Sequence, residues 1–197
     1  MNQEKGTHFV CSHLIVGKKM SLKLNIGCGH RRIEGFTNID CRYLPSVDEI
    51  QNAKLMRSYK PNSVDLIYSS HVLEHFGRWE YKHAIQRWFE ILKPNGIIRL
   101  AVPDFSKICD HYIINKDLSS LIGLLYGGQD YTENHHYMTF DFDSLKKVLV
   151  DIGFKNVGLW DWRTTEYSTV DDYSQSYLPH MDKDNGMLMS LNIEATK

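Results

Sequence analysis

Apolar and polar residues alternate through LKLNI, with Leu22, Leu24 and Ile26 on one side, and the run ends abruptly in Gly27-Cys28-Gly29. A period of two closed by glycines predicts a strand running into a tight turn. FTNI at 36–39 reads as a second strand and 47–50 as a short third one. VDLIYSS is mostly apolar, as a strand buried on both faces must be. The period then changes. Tyr81, Ile85, Trp88 and Leu92 make one stripe at helical spacing, with Ala84 and Phe89 beside it, which predicts a helix over 78–92. Lys93-Pro94-Asn95-Gly96 stops that helix and turns the chain into IIRLAV, completing a βαβ unit. Residues 105–127 read as two helical pieces. Leu145, Val148, Leu149 and Ile152 form a further stripe, with Asp143 or Ser144 as cap and Gly153 as stop. Final strands are expected over 157–160 and 188–195. The pattern as a whole predicts an α/β, Rossmann-like domain: a mostly parallel sheet of about seven strands with helices on both faces.

The stretch 161–186 has no period and is rich in polar residues and tyrosines, among them Tyr167, Tyr173 and Tyr177. A segment of that length in a compact domain reads as a lid or substrate loop, and its tyrosines favour packing over disorder. Residues 1–20 contain only a four-residue apolar run at 14–17, too short for a signal-peptide core or a membrane helix, and are read as an N-terminal extension to a domain at 21–197.

With 197 residues and a formal net charge of -1, the chain suits one domain and shows no basic block that would call for nucleic acid. Its four cysteines, Cys11, Cys28, Cys41 and Cys109, have neither CxxC spacing nor the density of a disulfide scaffold. Free thiols imply a reducing compartment, so a cytoplasmic location is expected, without membrane insertion. Oligomeric state leaves no mark in the sequence.

The glycine turn at a strand's carboxyl end is where open α/β sheets bind cofactors. A dinucleotide site wants G-x-G-x-x-G and an acidic residue about 20 positions on. Here Arg32 replaces the third glycine and Asp40 arrives too early. S-adenosylmethionine fits better, because it has two ribose hydroxyls and no phosphate. An ionised Asp40 accepts from both hydroxyls.

LNIGCG, with Asn25, Gly27, Cys28 and Gly29, followed by NID, SVDLIYSSHVLEHF and FEILKPNGIIRLAVPDF, resembles the motif series of class I S-adenosylmethionine-dependent methyltransferases. YGGQDYTENHHYMTFDFDSLKKVLVDIGFKNV resembles the C-terminal part of a small subfamily associated with surface-saccharide biosynthesis. The resemblance spans roughly 22–160 and implies an antiparallel last strand and methyl transfer to an oxygen, on a hydroxyl of a sugar or saccharide precursor. It assigns the ribose to Asp40, the adenine border to Asn52 and Ala53, where this chain carries an amide in place of the family's acid, and the methionine side to Ser70 and His71. Glu74 and His75 then begin the next helix and, with Tyr131, Asn134 and His135, face the acceptor. His136 occupies the subfamily's N-x-H position. An imidazole with a pKa near ~6.5 suits removal of a hydroxyl proton, so His136 is the expected base.

Two other readings compete. His71-Val72-Leu73-Glu74-His75 spells H-x-x-E-H, a zinc-peptidase signature, but it follows a strand instead of lying inside a long helix, and its third ligand would have to be a residue such as Glu133. No metal is therefore assigned, nor to the acidic positions Asp171, Asp172 and Asp182. The other reading is a cofactor-binding fold kept as a non-catalytic partner module.

Overall fold

The computed structural model describes residues 21–197; the N-terminal extension expected over 1–20, with Cys11, lies outside the described residues. Strands β1 (Lys23–Ile26), β2 (Thr37–Asp40), β3 (Glu49–Ile50), β4 (Val64–Ser70) and β5 (Leu92–Pro103) pair in parallel. Helix α1 (Tyr81–Ile91) connects β4 to β5. After β5 come α2 (Phe105–Asn115), α3 (Ile122–Tyr126), α4 (Phe142–Ile152), β6 (Lys155–Leu159), β7 (Tyr177–Leu178), β8 (Met187–Leu188) and β9 (Ser190–Thr196). The sheet order is β3-β2-β1-β4-β5-β9-β6, with β9 antiparallel to both its neighbours, so the expected mostly parallel seven-stranded sheet with an antiparallel last strand is observed. β7 and β8 pair separately. No described helix is long and apolar enough to cross a membrane.

The order reverses between β1 and β4: the chain runs outward through β2 and β3, then returns to the other side of β1. A crevice opens at such a switch point, outside the strands' carboxyl ends.

Both faces of the sheet are covered. On one, Ile85, Trp88 and Ile91 of α1 and Leu145 and Leu149 of α4 pack on Leu24, Ile67, Ile98 and Ile193. Full burial of a side chain of this size is worth about 1.5–3 kcal/mol. On the other face Ile33, Phe36, Leu66, Tyr68 and Tyr167 form a second cluster. Tyr167 meets Phe36 edge-on with ring centroids 5.4 Å apart and lies 4.7 Å from Tyr68. The Tyr68 hydroxyl donates to Asp172 at 2.6 Å. The aperiodic stretch 161–186 thus supplies part of this cover, folding into two 3-10 helices, Trp162–Thr164 and Tyr173–Gln175, and β7, which pairs with β8 just beyond it. Its order comes from polar groups that satisfy its own backbone: the Gln175 amide donates to the carbonyls of Ser168 and Val170 at 3.0 Å each.

Two local expectations are corrected. Lys93-Pro94-Asn95-Gly96 is not a separate turn, because Leu92 is already extended at φ -62 and ψ 139 and belongs to β5. Val64 pairs with Leu92 and Leu66 with Ile97, so the segment is a bulge within the strand, with Asn95 at φ 63. Helix α4 is capped by Asp141, not by Asp143 or Ser144. The Asp141 carboxylate accepts from the Ser144 amide at 2.8 Å while the Ser144 hydroxyl accepts from the Asp141 amide at 3.2 Å. This reciprocal pair satisfies two otherwise orphaned donors.

Candidate active site

A cavity of about 520 Å³ opens beyond the ends of β1, β2 and β4, and Gly27, Asp40, Asn52, Ala53, His71 and His75 are among its lining residues. Its size is that of a small-molecule site. The expected cofactor-side positions behave differently from one another, and the differences trace to where each backbone or side-chain polar group is satisfied.

The amides of Gly27 and Cys28 both donate to the Ile39 carbonyl, at 2.7 and 2.9 Å, and that of Gly29 donates to the Asp40 carboxylate at 2.9 Å. The turn therefore ties β1 to β2 instead of presenting amides to a ligand. Gly27 serves by the room it leaves. Gly27 sits at φ +71, and a Cβ there would lie 2.2 Å from a Val72 methyl. Asn25 does not line the cavity: its amide is spent on the Arg31 carbonyl at 2.9 Å and on Asn38 at 3.0 Å, pinning the crossover to β2. Cys28 is also turned inward. Burial and the nearby Asp40 charge push its thiol up to about 12, so it is an inert packing group.

Asp40 is buried to 6% exposure at the cavity rim. One oxygen accepts from the Arg42 amide at 2.9 Å and guanidinium at 3.1 Å, the other from Gly29. Burial works against the charge, but the hydrogen bonds from Arg42 and Gly29 outweigh it and hold the carboxyl below its ordinary value. Arg42 also lies over the Tyr131 ring, 4.3 Å from its centroid, and so links the end of β2 to the segment before α4. Sequence reasoning missed Arg42. Its position two residues after Asp40 carries no motif, and only the fold shows that it faces the carboxylate.

Asn52 and Ala53, expected at the adenine, border the cavity. The Asn52 oxygen is engaged by the Lys54 amide at 2.9 Å, which leaves its amine free to donate. Ser70 does not line the cavity; its hydroxyl is buried without a partner. Asn134 is held by Asp130 at 2.5 Å and braces its own loop, and the His135 ring faces the Thr132 carbonyl at 3.2 Å. Tyr131 lines the cavity, as does Tyr137, which the sequence did not single out.

HVLEH does not lie on one helix. His71, at φ 53, ends the strand, and Leu73–His75 is a single 3-10 turn, while α1 begins only at Tyr81. The expectation that Glu74 and His75 open the next helix is thus corrected, and the helix-borne peptidase geometry is absent. The fold instead brings His136 to the pair. The Tyr137 amide donates to the Glu74 carbonyl at 2.7 Å, and Gly127, at φ +78, permits the close pass of this segment, since a Cβ there would meet the Asn134 oxygen at 2.3 Å.

Glu74 is fully buried, and neither carboxylate oxygen accepts a formed hydrogen bond. His71 Nδ1 stands 3.1 Å from Oε1, off the hydrogen-bonding direction, and His136 Nε2 stands 4.0 Å from it. Desolvation acts to raise the Glu74 carboxyl, and attraction to His71 and then to the other two imidazoles outweighs it, holding it below its ordinary value. Burial keeps the His136 imidazole below its ordinary value despite the pull of Glu74. His136 Nδ1 meets the Leu124 carbonyl at 2.9 Å, and His75 Nδ1 meets that of His135 at 3.1 Å. His75 lines the cavity while His136 lies behind it, their rings 4.8 Å apart. From 161–186, Tyr173 brings its ring 5.3 Å from that of His71.

A family model described as a methyltransferase domain matches residues 24–159. No curated protein matches the sequence. Among solved structures, a SAM-dependent methyltransferase from Archaeoglobus fulgidus is similar at 14% identity and TM-score 0.54, over 91% of this chain and 87% of that one. A SAM-dependent methyltransferase from Methanosarcina mazei matches at 17% identity and TM-score 0.52, over 91% and 93%. The Burkholderia thailandensis 1,6-didemethyltoxoflavin-N1-methyltransferase, solved with bound 1,6-didemethyltoxoflavin and S-adenosylhomocysteine, matches at 15% identity and TM-score 0.55, over 90% and 71%. At these identities the likeness is one of fold.

Proposed function

The chain belongs to the methyltransferase-domain family, and from that premise we propose that it transfers the methyl group of S-adenosylmethionine to an oxygen, a hydroxyl of a sugar or saccharide precursor. The observation that carries the cofactor assignment is the cavity at the switch point with an ionised, hydrogen-bonded Asp40 at its rim. The residues fit the group: Asp40 keeps acceptor capacity for ribose hydroxyls, Asn52 and Ala53 border the adenine, and His71 closes the methionine end. Gly27 contributes the space that a side chain would fill. S-adenosylmethionine, when bound, supplies an electrophilic methyl group on a sulfonium.

The acceptor enters beside His75, with Tyr131 and Tyr137 offering apolar faces and hydroxyls, the combination that sugar rings use. Thr132, Glu133 and Glu80 add polar groups to the same lining. Its hydroxyl must lose a proton as the methyl group arrives. His136, the base expected from sequence, is set behind His75 and points its Nε2 at Glu74, so the proton is managed by the Glu74–His75–His136 cluster through its open side at His75. Correct alignment of acceptor oxygen and methyl carbon supplies much of the rate in such transfers.

The test is incubation of the purified chain with S-adenosylmethionine carrying a deuterated methyl group and a panel of nucleotide-activated sugars. Label appearing on one sugar, read by mass spectrometry, is the expected result. Label on amine or carbon acceptors alone would overturn the assignment to oxygen.

A further inference from the structure

Three groups that can only accept converge at Glu74. The Nδ1 of His136 and the Nδ1 of His75 each meet a backbone carbonyl, which fixes the proton there and leaves both Nε2 atoms with a lone pair. The third is the carboxylate itself, fully buried and without a formed hydrogen bond. One donor atom from each of Glu74, His75 and His136 lies within 4.8 Å of the others. His71 Nδ1 approaches Glu74 Oε1 from outside this trio, at 3.1 Å; among the trio itself no proton joins the acceptors, and a cation would.

We propose that Glu74, His75 and His136 bind one divalent first-row transition metal ion, contrary to the sequence reading, which assigned no metal. Two imidazoles and one carboxylate are a facial donor set that leaves coordination positions open. Facial donors about 2.0–2.2 Å from a common ion stand about 3 Å apart, so the 4.0 Å between His136 Nε2 and Glu74 Oε1 must shorten by about 1 Å when the ion enters. The widest pair closes by a small side-chain rotation. The carbonyls of Leu124 and His135 are the outer partners that metal-binding histidines use to fix tautomer and ring orientation. His75 lies on the cavity wall, so the open positions face the cavity.

The ion's role rests on the function proposed above. With their lone pairs committed to the ion, Glu74, His75 and His136 act on the acceptor's proton through the metal and not as the base: an acceptor hydroxyl that coordinates the ion releases its proton to solvent. The oxygen then bonds to the methyl carbon as the carbon–sulfur bond breaks, leaving S-adenosylhomocysteine. Ligation itself is independent of that chemistry.

The experiment uses the tag-free full chain, stripped with chelator and titrated with Co²⁺ followed by visible absorption, then with Zn²⁺ in competition. S-adenosylmethionine binding is measured on the same samples by calorimetry. One Co²⁺ per chain is expected, with a spectrum of nitrogen and oxygen ligation. Glu74→Gln and His136→Gln, each checked for native circular dichroism, should each weaken binding at least 10-fold, while His83→Gln on the exposed side of α1 should not. Absence of Co²⁺ and Zn²⁺ binding by a chain that binds S-adenosylmethionine would overturn the metal site and leave the proposed function standing. Binding that ignores both Glu74 and His136 would overturn it as well. Metal binding without cofactor binding would uphold the site and sink the methyltransferase reading.

Discussion

Replacing Gly27 by alanine tests the claim that the turn works by the space it leaves. At φ +71 an alanine pays the left-handed cost of about 1–2 kcal/mol. Its Cβ would also stand 2.2 Å from one Val72 methyl and 3.3 Å from the other and from the Val72 Cβ, contacts that must be relieved by moving a residue only 8% exposed. Overpacking of that kind costs about 1–3 kcal/mol. Together these predict a loss of about 2–5 kcal/mol, or roughly 4–20 °C in melting temperature for a domain of this size. Val72→Ala removes the clashing methyl and leaves the backbone strain. The double variant Gly27→Ala/Val72→Ala should therefore be more stable than the sum of the two single changes predicts, by about 1–3 kcal/mol. Urea unfolding of all four proteins gives the coupling. Strict additivity, or a Gly27→Ala variant within about 0.5 kcal/mol of the parent, would refute the reasoning.

Tyr68→Phe removes the donor to Asp172 that ties 161–186 to the second face; a loss of about 1–3 kcal/mol in urea unfolding is expected, and no change would mean that this hydrogen bond does not anchor the segment. Asp40 has a depressed folded-state pKa, so its contribution to stability is complete above the ordinary carboxylate value and is lost as pH falls through the lower one. Asp40→Asn should flatten the acid limb of the stability curve, and an unaltered limb would contradict the assigned hydrogen bonds.

The parts of this fold written in short-range pattern were legible from the chain. Leu22, Leu24 and Ile26 gave β1, the Tyr81–Ile85–Trp88 stripe gave α1, and Gly27 and Asp40 fell at the ends of adjacent strands because each closes an apolar run. What sequence missed depended on partners distant in the chain. Asn25 and Cys28 sit inside a motif expected to touch cofactor, yet Asn38 and the buried turn claim them. Arg42 is unremarkable until β2 sets it against Asp40. Glu74, His75 and His136 meet only because the segment after α3 hydrogen-bonds to the Glu74 carbonyl, a contact without local signature. That 161–186 packs was legible in tyrosines such as Tyr167, but its short elements escaped for the same reason, since they are specified by single polar residues such as Gln175 and not by a repeating apolar face.

The central claim, that the cavity between Gly27 and Asp40 holds S-adenosylmethionine, is tested most directly by calorimetric titration of the parent chain and of Asp40→Ala with S-adenosylmethionine, S-adenosylhomocysteine and NAD. The account predicts one S-adenosyl ligand per chain and no heat from NAD. Loss of hydrogen bonds to a charged group, worth about 1.5–3 kcal/mol, should weaken the variant roughly 10-fold to 150-fold. Silence from both S-adenosyl ligands, or equal affinity in the parent and in a folded Asp40→Ala variant, would contradict it.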